Sequence, residues 1–265
     1  MTGPGHVPRI ASLVSGNTPG KDTHQSGGGL PAAESEEDPI LLGMMAGPWR
    51  PAFENWIEMA KRHGHRYRII GREIRDFVPF ITKLQCLLAC LRSLPCSQIV
   101  FYLDASDGFV CSDPQNVLKR YRFYETPVVL GAERGPYPTH AFAVPDPAWR
   151  WANSGAFVAE AGVMADALQS GYGLEDWERF GHVSDQHAVN LHFHLPEHRD
   201  KATVDFRRLL VANIGTLPGL QDQLGHMLTH LPVAEHWRLV SSLHFFGGNR
   251  SGYNAFASSY GLRTI

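Results

Sequence analysis

The sequence has little of what would mark a membrane, secreted or nucleic-acid-binding protein. It contains no apolar run of about 18 residues, so we expect no membrane-spanning helix. The first residues, MTGPGHVPRIASLVSGN, lack the basic and apolar stretches of a secretory signal. The 24 basic and 26 acidic residues nearly balance, which argues against a nucleic-acid partner. We therefore expect a cytoplasmic protein that has no nucleic-acid partner and no membrane span.

Cysteine is also scarce, with only four residues in the chain. No CxxC pair or matching histidine pair accompanies them, so free thiols are favoured over a disulfide or a zinc site. Cys86 and Cys90 lie four positions apart in a helical stretch and are predicted to share one buried helix face.

Composition and periodicity divide the chain into a tail and one domain. Residues 1–38 are rich in Gly, Ser, Pro and acidic residues and are predicted to form a flexible tail. Within the predicted domain, residues 39–265, strands and helices first alternate: strands at 40–46, 67–70, 99–104 and 127–133, and helices at 51–62, 79–93 and 113–123. A loop (134–150), a strand (151–160) and two helices (161–170 and 184–194) follow. The alternation predicts an α/β, Rossmann-like fold with a mostly parallel central sheet flanked by helices.

The segment LDASDG carries two carboxylates directly after an apolar strand. Asp104 and Asp107 lie three positions apart at a point where the chain turns, so both side chains can reach one position. Paired carboxylate oxygens suit Mg²⁺ or Mn²⁺, with phosphate oxygens completing the coordination. The alternative is an Asp-rich turn whose side chains bind their own backbone.

The segment LHFFGGNR brings a histidine, two glycines and an arginine together after a predicted strand. His244 could supply a third metal ligand through a neutral ring nitrogen. Gly247 lets the backbone approach a phosphate closely, and Arg250 could bind one through its guanidinium. The alternative is a surface turn beside a partly buried histidine.

Two further polar segments are candidates for sugar contacts. In NSGAF, Asn153, Ser154 and Gly155 could present donors to sugar hydroxyls, although a β-turn explains the same residues. In HVSDQ, Asp185 could accept a proton or a hydrogen bond from an acceptor hydroxyl. It could equally be the favourable first acid of a helix capped by Ser184.

Taken in order, LDASD, VVLGAE, NSGAF, SDQ, TVDFRRLLVANI and LHFFGGNR resemble the glycosyltransferase domain of procollagen lysyl hydroxylases and the related collagen galactosyl- and glucosyltransferases. The resemblance runs from about residue 40 to the end of the chain. It implies a GT-A fold, a UDP-sugar donor and Mn²⁺, for which Mg²⁺ could substitute. It also implies that Asp104, Asp107 and His244 are the metal ligands.

The resemblance assigns the other site residues position by position. It implies that Asn153 and Asp185 are catalytic, and that the donor is bound by Lys83, Ser106, Ser154, Gly155, Gly247 and Arg250. Gln186 and Asp205 match further polar positions of that family. Ser106 stands where the family has an aromatic residue between the two metal aspartates, and the family's acidic run is reduced to Asp185.

The function implied is transfer of a hexose, glucose or galactose, from a UDP-sugar to a hydroxyl of an unknown protein, glycan or small-molecule acceptor. Two alternatives stay open. The reduced acidic run and the missing aromatic residue allow a non-catalytic sugar-nucleotide-binding module. Paired aspartates and a histidine also suit a metal-dependent hydrolase, although no second acidic cluster follows another strand.

Overall fold

The structure, a computed structural model, describes residues 38–74, 81–133, 135, 150–172, 184–213, 240–245 and 250–265, with residues 171 and 172 described by their backbone alone. The predicted tail therefore lies outside the described residues except at its last position, and so does almost all of the predicted loop at 134–150.

A six-stranded sheet forms the centre of the domain, in the order β2-β1-β3-β6-β5-β7. Its strands, numbered along the chain, are β1 (Ile40–Met44), β2 (Tyr67–Ile70), β3 (Ile99–Leu103), β5 (Val128–Glu133), β6 (Trp151–Glu160) and β7 (Ala202–Val204). Only β6 runs antiparallel to its neighbours, β3 and β5; the other three pairings are parallel. The prediction of an α/β fold with a mostly parallel central sheet flanked by helices is confirmed.

Helices cover both faces of this sheet: α1 (Pro51–Arg62), α2 (Ile81–Arg92), α3 (Pro114–Arg122), α4 (Ala161–Tyr172), α5 (Asp185–His194) and α6 (Arg250–Ser259). Because side chains alternate along a strand, β3 directs Tyr102 into the core with α2, α4 and α5, and Phe101 into the core with α1, α3 and α6. No helix within the described ranges is long and apolar enough to cross a membrane. All four cysteines are free thiols, with Cys90 buried and Cys86 half-buried in α2.

Two helices begin at a side-chain cap, and the second of these caps is the predicted Ser184. The Asp113 carboxylate accepts a hydrogen bond from the backbone N–H of Asn116 at 2.9 Å, which starts α3. The Ser184 hydroxyl accepts one from the backbone N–H of His187 at 3.1 Å, which makes Asp185 the first residue of α5. These caps satisfy backbone donors that the first helical turn leaves unpaired.

A second, three-stranded sheet lies beside the first and was not predicted. It consists of β4 (Gly108–Val110), β9 (Ser242–His244) and β8 (Val211–Asn213), with β9 antiparallel to β4 and parallel to β8. The turn between β3 and β4 joins the two sheets. Gly108 makes this turn possible, because a Cβ there would lie 2.5 Å from the Asp104 carbonyl oxygen.

Asp205 holds the segment that leads into β8. Its buried carboxylate accepts hydrogen bonds from the backbone N–H groups of Leu209, Leu210 and Val211 at 2.9, 2.8 and 2.7 Å, and from the Tyr124 hydroxyl. These contacts satisfy donors that would otherwise be buried unpaired. A structural role in folding is therefore enough to explain why position 205 is an acid.

Candidate functional site

Asp104, Asp107 and His244 meet at the carboxyl end of β3. Asp104 follows β3, Asp107 precedes β4, and His244 ends β9. Because β4 and β9 are antiparallel, with Gly108 opposite His244, the ring comes to lie beside the turn. His244 Nε2 lies 3.5 Å from Asp107 Oδ1 and 3.8 Å from Asp104 Oδ2, and one ligand atom from each residue falls within 4.8 Å of the others. The structure thus brings together the three residues predicted as metal ligands.

Gly155 provides the space that the His244 ring occupies. It lies in β6, where its carbonyl oxygen accepts a hydrogen bond from the Asp104 backbone N–H at 2.8 Å. A Cβ at this position would fall within 2.6 Å of His244 Nε2 and closer still to Cε1. The NSGAF segment forms part of strand β6, so the β-turn alternative is wrong.

Asn153 and Ser154 make contacts within the protein on either side of this strand. The Asn153 side chain accepts a hydrogen bond from the Gly155 backbone N–H at 2.8 Å and donates one to the Glu133 carboxylate. The Ser154 backbone N–H donates to the Gln186 side-chain oxygen at 3.3 Å. Both side chains are buried, and their contacts with a donor sugar stay predictions.

Lys83 lies between two carboxylates. Its Nζ is 3.0 Å from Asp104 Oδ2 and 2.9 Å from Asp185 Oδ2, so one ammonium group joins α2, the end of β3 and the start of α5. Burial lowers the pKa of Lys83, but the two carboxylates outweigh burial and raise that pKa above its usual value. Lys83 and Asp185 are therefore part of the same charged cluster as Asp104, whereas the sequence predicted Lys83 only as a donor-binding residue.

The cluster carries excess negative charge. Among the described residues of this cluster, three carboxylates (Asp104, Asp107 and Asp185) surround one ammonium, and, although burial opposes it, the negative charge of Asp107 and Asp104 raises the pKa of His244. Burial is the largest influence that raises the pKa of Asp104, Lys83 opposes it, and Asp107 adds to it. Carboxylate oxygens and an imidazole nitrogen are ligands that a divalent cation accepts, and such a cation would balance this charge. The residues present therefore fit a divalent metal.

No family model matches the sequence, and a search of curated proteins also finds no match. Solved structures do match. A glycosyltransferase involved in glycosylation of the major capsid of PBCV-1 superposes with a TM-score of 0.51 at 14% identity, covering 83% of this chain and 99% of that one. The chain therefore shares the GT-A-like fold of this glycosyltransferase, as the sequence predicted.

Two other solved structures superpose less well. The galactosyltransferase LgtC, solved with donor and acceptor sugar analogues, gives a TM-score of 0.48 at 12% identity, covering 85% of this chain and 97% of that one. The glycosyltransferase GlyE of Streptococcus pneumoniae TIGR4 gives 0.49 at 13% identity, covering 80% and 55%. At sequence identities this low, structural similarity is evidence about the fold and not about the function.

Tyr102 is a site residue that the sequence analysis missed. Its hydroxyl donates a hydrogen bond to Asp104 Oδ1, while Lys83 binds Oδ2. The Tyr102 ring stacks on Phe157 at 5.1 Å and lies 5.1 Å from Lys83 Nζ. Both oxygens of Asp104 are thus held in place. The only sequence signal was a tyrosine two positions before the acid, which a buried strand also explains.

The structure gives less information about the remaining predicted site residues, Ser106, Arg250 and Gly247. The Ser106 hydroxyl donates to Asp107 Oδ1 at 3.3 Å, so it lies beside a predicted metal ligand. Arg250 is exposed at the first position of α6. Gly247 falls outside the described residues, and so do most of the segments at 134–150 and 171–182 that we expect to line an acceptor site.

A cavity of about 720 Å³ lies at the opposite edge of the central sheet. Ile99, the first residue of β3, and Glu160, the last of β6, line it together with Arg66 and Arg122. In open α/β folds, ligands bind at the carboxyl ends of the parallel strands, which is the edge that carries Asp104. This cavity is therefore separate from the candidate site.

Glu133, a buried acid at the end of β5, was also missed by the sequence analysis. Burial raises its pKa from 4.5 to about 7, against the opposing effects of the Asn153 hydrogen bond and of His244. Because the folded-state pKa is raised, the protonated acid stabilises the fold fully below about pH 4.5, and this contribution is lost as the pH rises through about 7.

We expect Glu133→Gln to remove this pH dependence. The free energy of unfolding of the wild type should fall by up to about 3 kcal/mol relative to the variant between pH 4.5 and pH 8. Urea unfolding of both proteins at several pH values measures the difference. Curves that stay parallel throughout would show that Glu133 titrates alike in the folded and unfolded chains.

Proposed function

We propose that residues 39–265 form a metal-dependent glycosyltransferase domain that transfers a hexose, glucose or galactose, from a UDP-sugar to an acceptor hydroxyl. The acceptor is a protein, a glycan or a small molecule. In this proposal Asp104, Asp107 and His244 hold Mn²⁺, or Mg²⁺ in its place. The observation that carries the proposal is the meeting of these three side chains at the carboxyl end of β3, in a glycosyltransferase fold.

A bound metal would neutralise the negative charge that develops on a diphosphate leaving group. The chain's own contribution is to hold the ligands before the donor arrives. Tyr102 and Lys83 bind the two oxygens of Asp104, so little reorganisation is needed when the metal and the diphosphate bind. Ser106 supports Asp107 in the same way.

Asp185 and Asn153 would orient the donor sugar and the acceptor hydroxyl, because holding reactants in place supplies much of an enzymatic rate gain. Lys83 Nζ lies 2.9 Å from Asp185 Oδ2 and holds this side chain beside the metal ligands. Ser154 and Gly155 would line the donor sugar, and Gly247 and Arg250 would contact the diphosphate. These roles follow the resemblance to the procollagen lysyl hydroxylase type, and we propose that the donor chemistry is shared with it.

Titration of the full chain with UDP tests this proposal. We expect UDP to bind in the presence of Mn²⁺, to be released by EDTA, and to bind again when Mn²⁺ is added in excess, whereas ADP serves as the nucleotide control. UDP release from UDP-glucose and UDP-galactose, with and without acceptor glycans or peptides, then tests transfer.

Each failure of this experiment identifies an alternative. No UDP binding in Mn²⁺ would reject a UDP-sugar donor. Sugar release to water at a rate that no acceptor alters would favour a hydrolase. Tight UDP-sugar binding without turnover would favour a binding module.

A further inference from the structure

Asn213 is the direct neighbour of His244 in the three-stranded sheet. The two residues are register partners in the parallel strands β8 and β9, so their side chains lie side by side. Asn213 Oδ1 lies 2.8 Å from His244 Nδ1, and both residues are buried, at 1% and 3% exposure. This contact lies on the far side of the ring from the two aspartates.

A second hydrogen bond fixes the direction of the Asn213 amide. Its Nδ2 donates to the Ala132 carbonyl oxygen at 2.9 Å, which leaves Oδ1 facing the ring. Because Oδ1 can only accept, His244 Nδ1 must carry the hydrogen and donate it. Nε2 is then the ring nitrogen that faces Asp104 and Asp107. A neutral imidazole in this tautomer is the form that can bind a metal through Nε2.

Two glycines leave room for the Asn213 and His244 side chains to lie in this arrangement. A Cβ at Gly131 would lie 2.8 Å from Asn213 Nδ2, and a Cβ at Gly155 would overlap the His244 ring. The pairing of β5 with β6 shifts register between Leu130 and Gly131, the point at which the Asn213 amide reaches β5. The ring therefore packs against the backbone at Gly155, and the amide packs against the backbone at Gly131.

We propose that Asn213 is a positioning residue of the metal centre, which fixes the tautomer and the direction of His244 and thereby sets the affinity for the metal. This inference rests on the proposed function, because it assigns a role towards the same metal site. The hydrogen bond to the second ring nitrogen is what orients a metal-binding histidine and makes it more basic.

A measurement on the metal-free protein tests the tautomer directly. With histidines labelled with ¹⁵N, with the His244 signals assigned by a His244→Gln variant, and with spectra recorded at a pH high enough for the ring to be neutral, we expect wild-type His244 to carry its hydrogen on Nδ1. In Asn213→Leu, which removes both hydrogen bonds at similar volume, the hydrogen should move mainly to Nε2. An unchanged His244 spectrum in Asn213→Leu would overturn the proposal.

Titration with Mn²⁺ alone tests the affinity. Asn213→Leu should bind Mn²⁺ about 10- to 100-fold more weakly than the wild type, the usual effect of removing an outer partner of a metal ligand. Asn213→Asp keeps an acceptor oxygen beside Nδ1 and should restore most of the affinity. Wild-type affinity in Asn213→Leu, or no recovery in Asn213→Asp, would contradict a positioning role.

Ser242→Ala is the matched control for a general weakening of β9. It removes the buried hydrogen bond from the Ser242 hydroxyl to the Leu210 carbonyl oxygen, 3.0 Å long, in the same pair of strands. We expect it to lower stability and leave the Mn²⁺ affinity unchanged. An equal loss of affinity in Ser242→Ala would mean that Asn213 acts only through folding.

The two proposals can fail separately. If the wild type binds Mn²⁺ and Asn213→Leu weakens that binding, the inference stands even when no UDP-sugar is turned over. If the wild type transfers hexose and Asn213→Leu binds Mn²⁺ normally, the inference alone is wrong. A wild type that binds no Mn²⁺ would overturn the inference together with the metal centre.

Discussion

Asp104→Asn is expected to reduce hexose transfer from a UDP-sugar by more than about 100-fold. Removing even an outer partner of a metal ligand lowers metal affinity or activity by about 10- to 100-fold, and Asp104 is a proposed ligand itself. The substitution replaces a charged oxygen with an amide of the same shape. It also places an amide nitrogen or a neutral oxygen beside Lys83, which loses one of its two carboxylate partners. Initial rates of UDP release at saturating Mn²⁺ measure the effect.

Asp200→Asn is a suitable control, because Asp200 is exposed in a short 3-10 helix, Arg199–Lys201, away from the site. It removes the same charge from the chain and should leave the rate unchanged. An Asp104→Asn enzyme that transfers hexose at the wild-type rate would mean that no catalytic metal is bound at this place.

Gly155→Ala should have the second largest effect, although it adds only one methyl group. The new Cβ would overlap the His244 ring and lie 2.9 Å from Asn153 Oδ1. Neither side can retreat easily, because Asn213 holds the ring and the Gly155 carbonyl oxygen is bonded to the Asp104 N–H. We expect Mn²⁺ binding to fall at least as much as in Asn213→Leu, and stability to fall by about 1–3 kcal/mol, the usual cost of overpacking.

Thermal unfolding and Mn²⁺ titration measure the two effects of Gly155→Ala. Gly162→Ala is the matched control. Gly162 lies in α4, at the opposite edge of the sheet, and its new Cβ would lie 2.9 Å from the Cβ of Cys96. It should lower stability and leave the Mn²⁺ affinity unchanged. Wild-type Mn²⁺ affinity in Gly155→Ala would contradict the ring position described above.

The alternating first half of the fold could be predicted because its signals are local. β1, β3 and β5 are short apolar runs, and α3 begins at an Asp-Pro pair whose cap is present. The same locality explains Asp104 and Asp107: a carboxylate that follows a buried parallel strand must lie at the edge where ligands bind. The segment LHFFGGNR made His244 only a candidate, since it is one histidine among fourteen, and the order of the motifs then assigned it as the third ligand.

The three-stranded sheet could not be predicted in the same way. β4 and β8 have three residues each, too few to display a period of two. The strand that contains β9 was predicted, but not its pairing with β4, which lies more than a hundred positions earlier. The direction of β6 was equally hidden, because a buried strand has the same composition whether it runs parallel or antiparallel.

The sequence by itself determined the α/β alternation, the edge that carries the acids and the residue types that suit a divalent metal. Only the tertiary structure decided the partners of those residues: Asn213 on His244, Tyr102 and Lys83 on Asp104, and Glu133 on Asn153. The physical reason is that strand and helix formation follow from neighbouring residues. The hydrogen bonds that orient a side chain depend instead on the register and direction of strands distant along the chain.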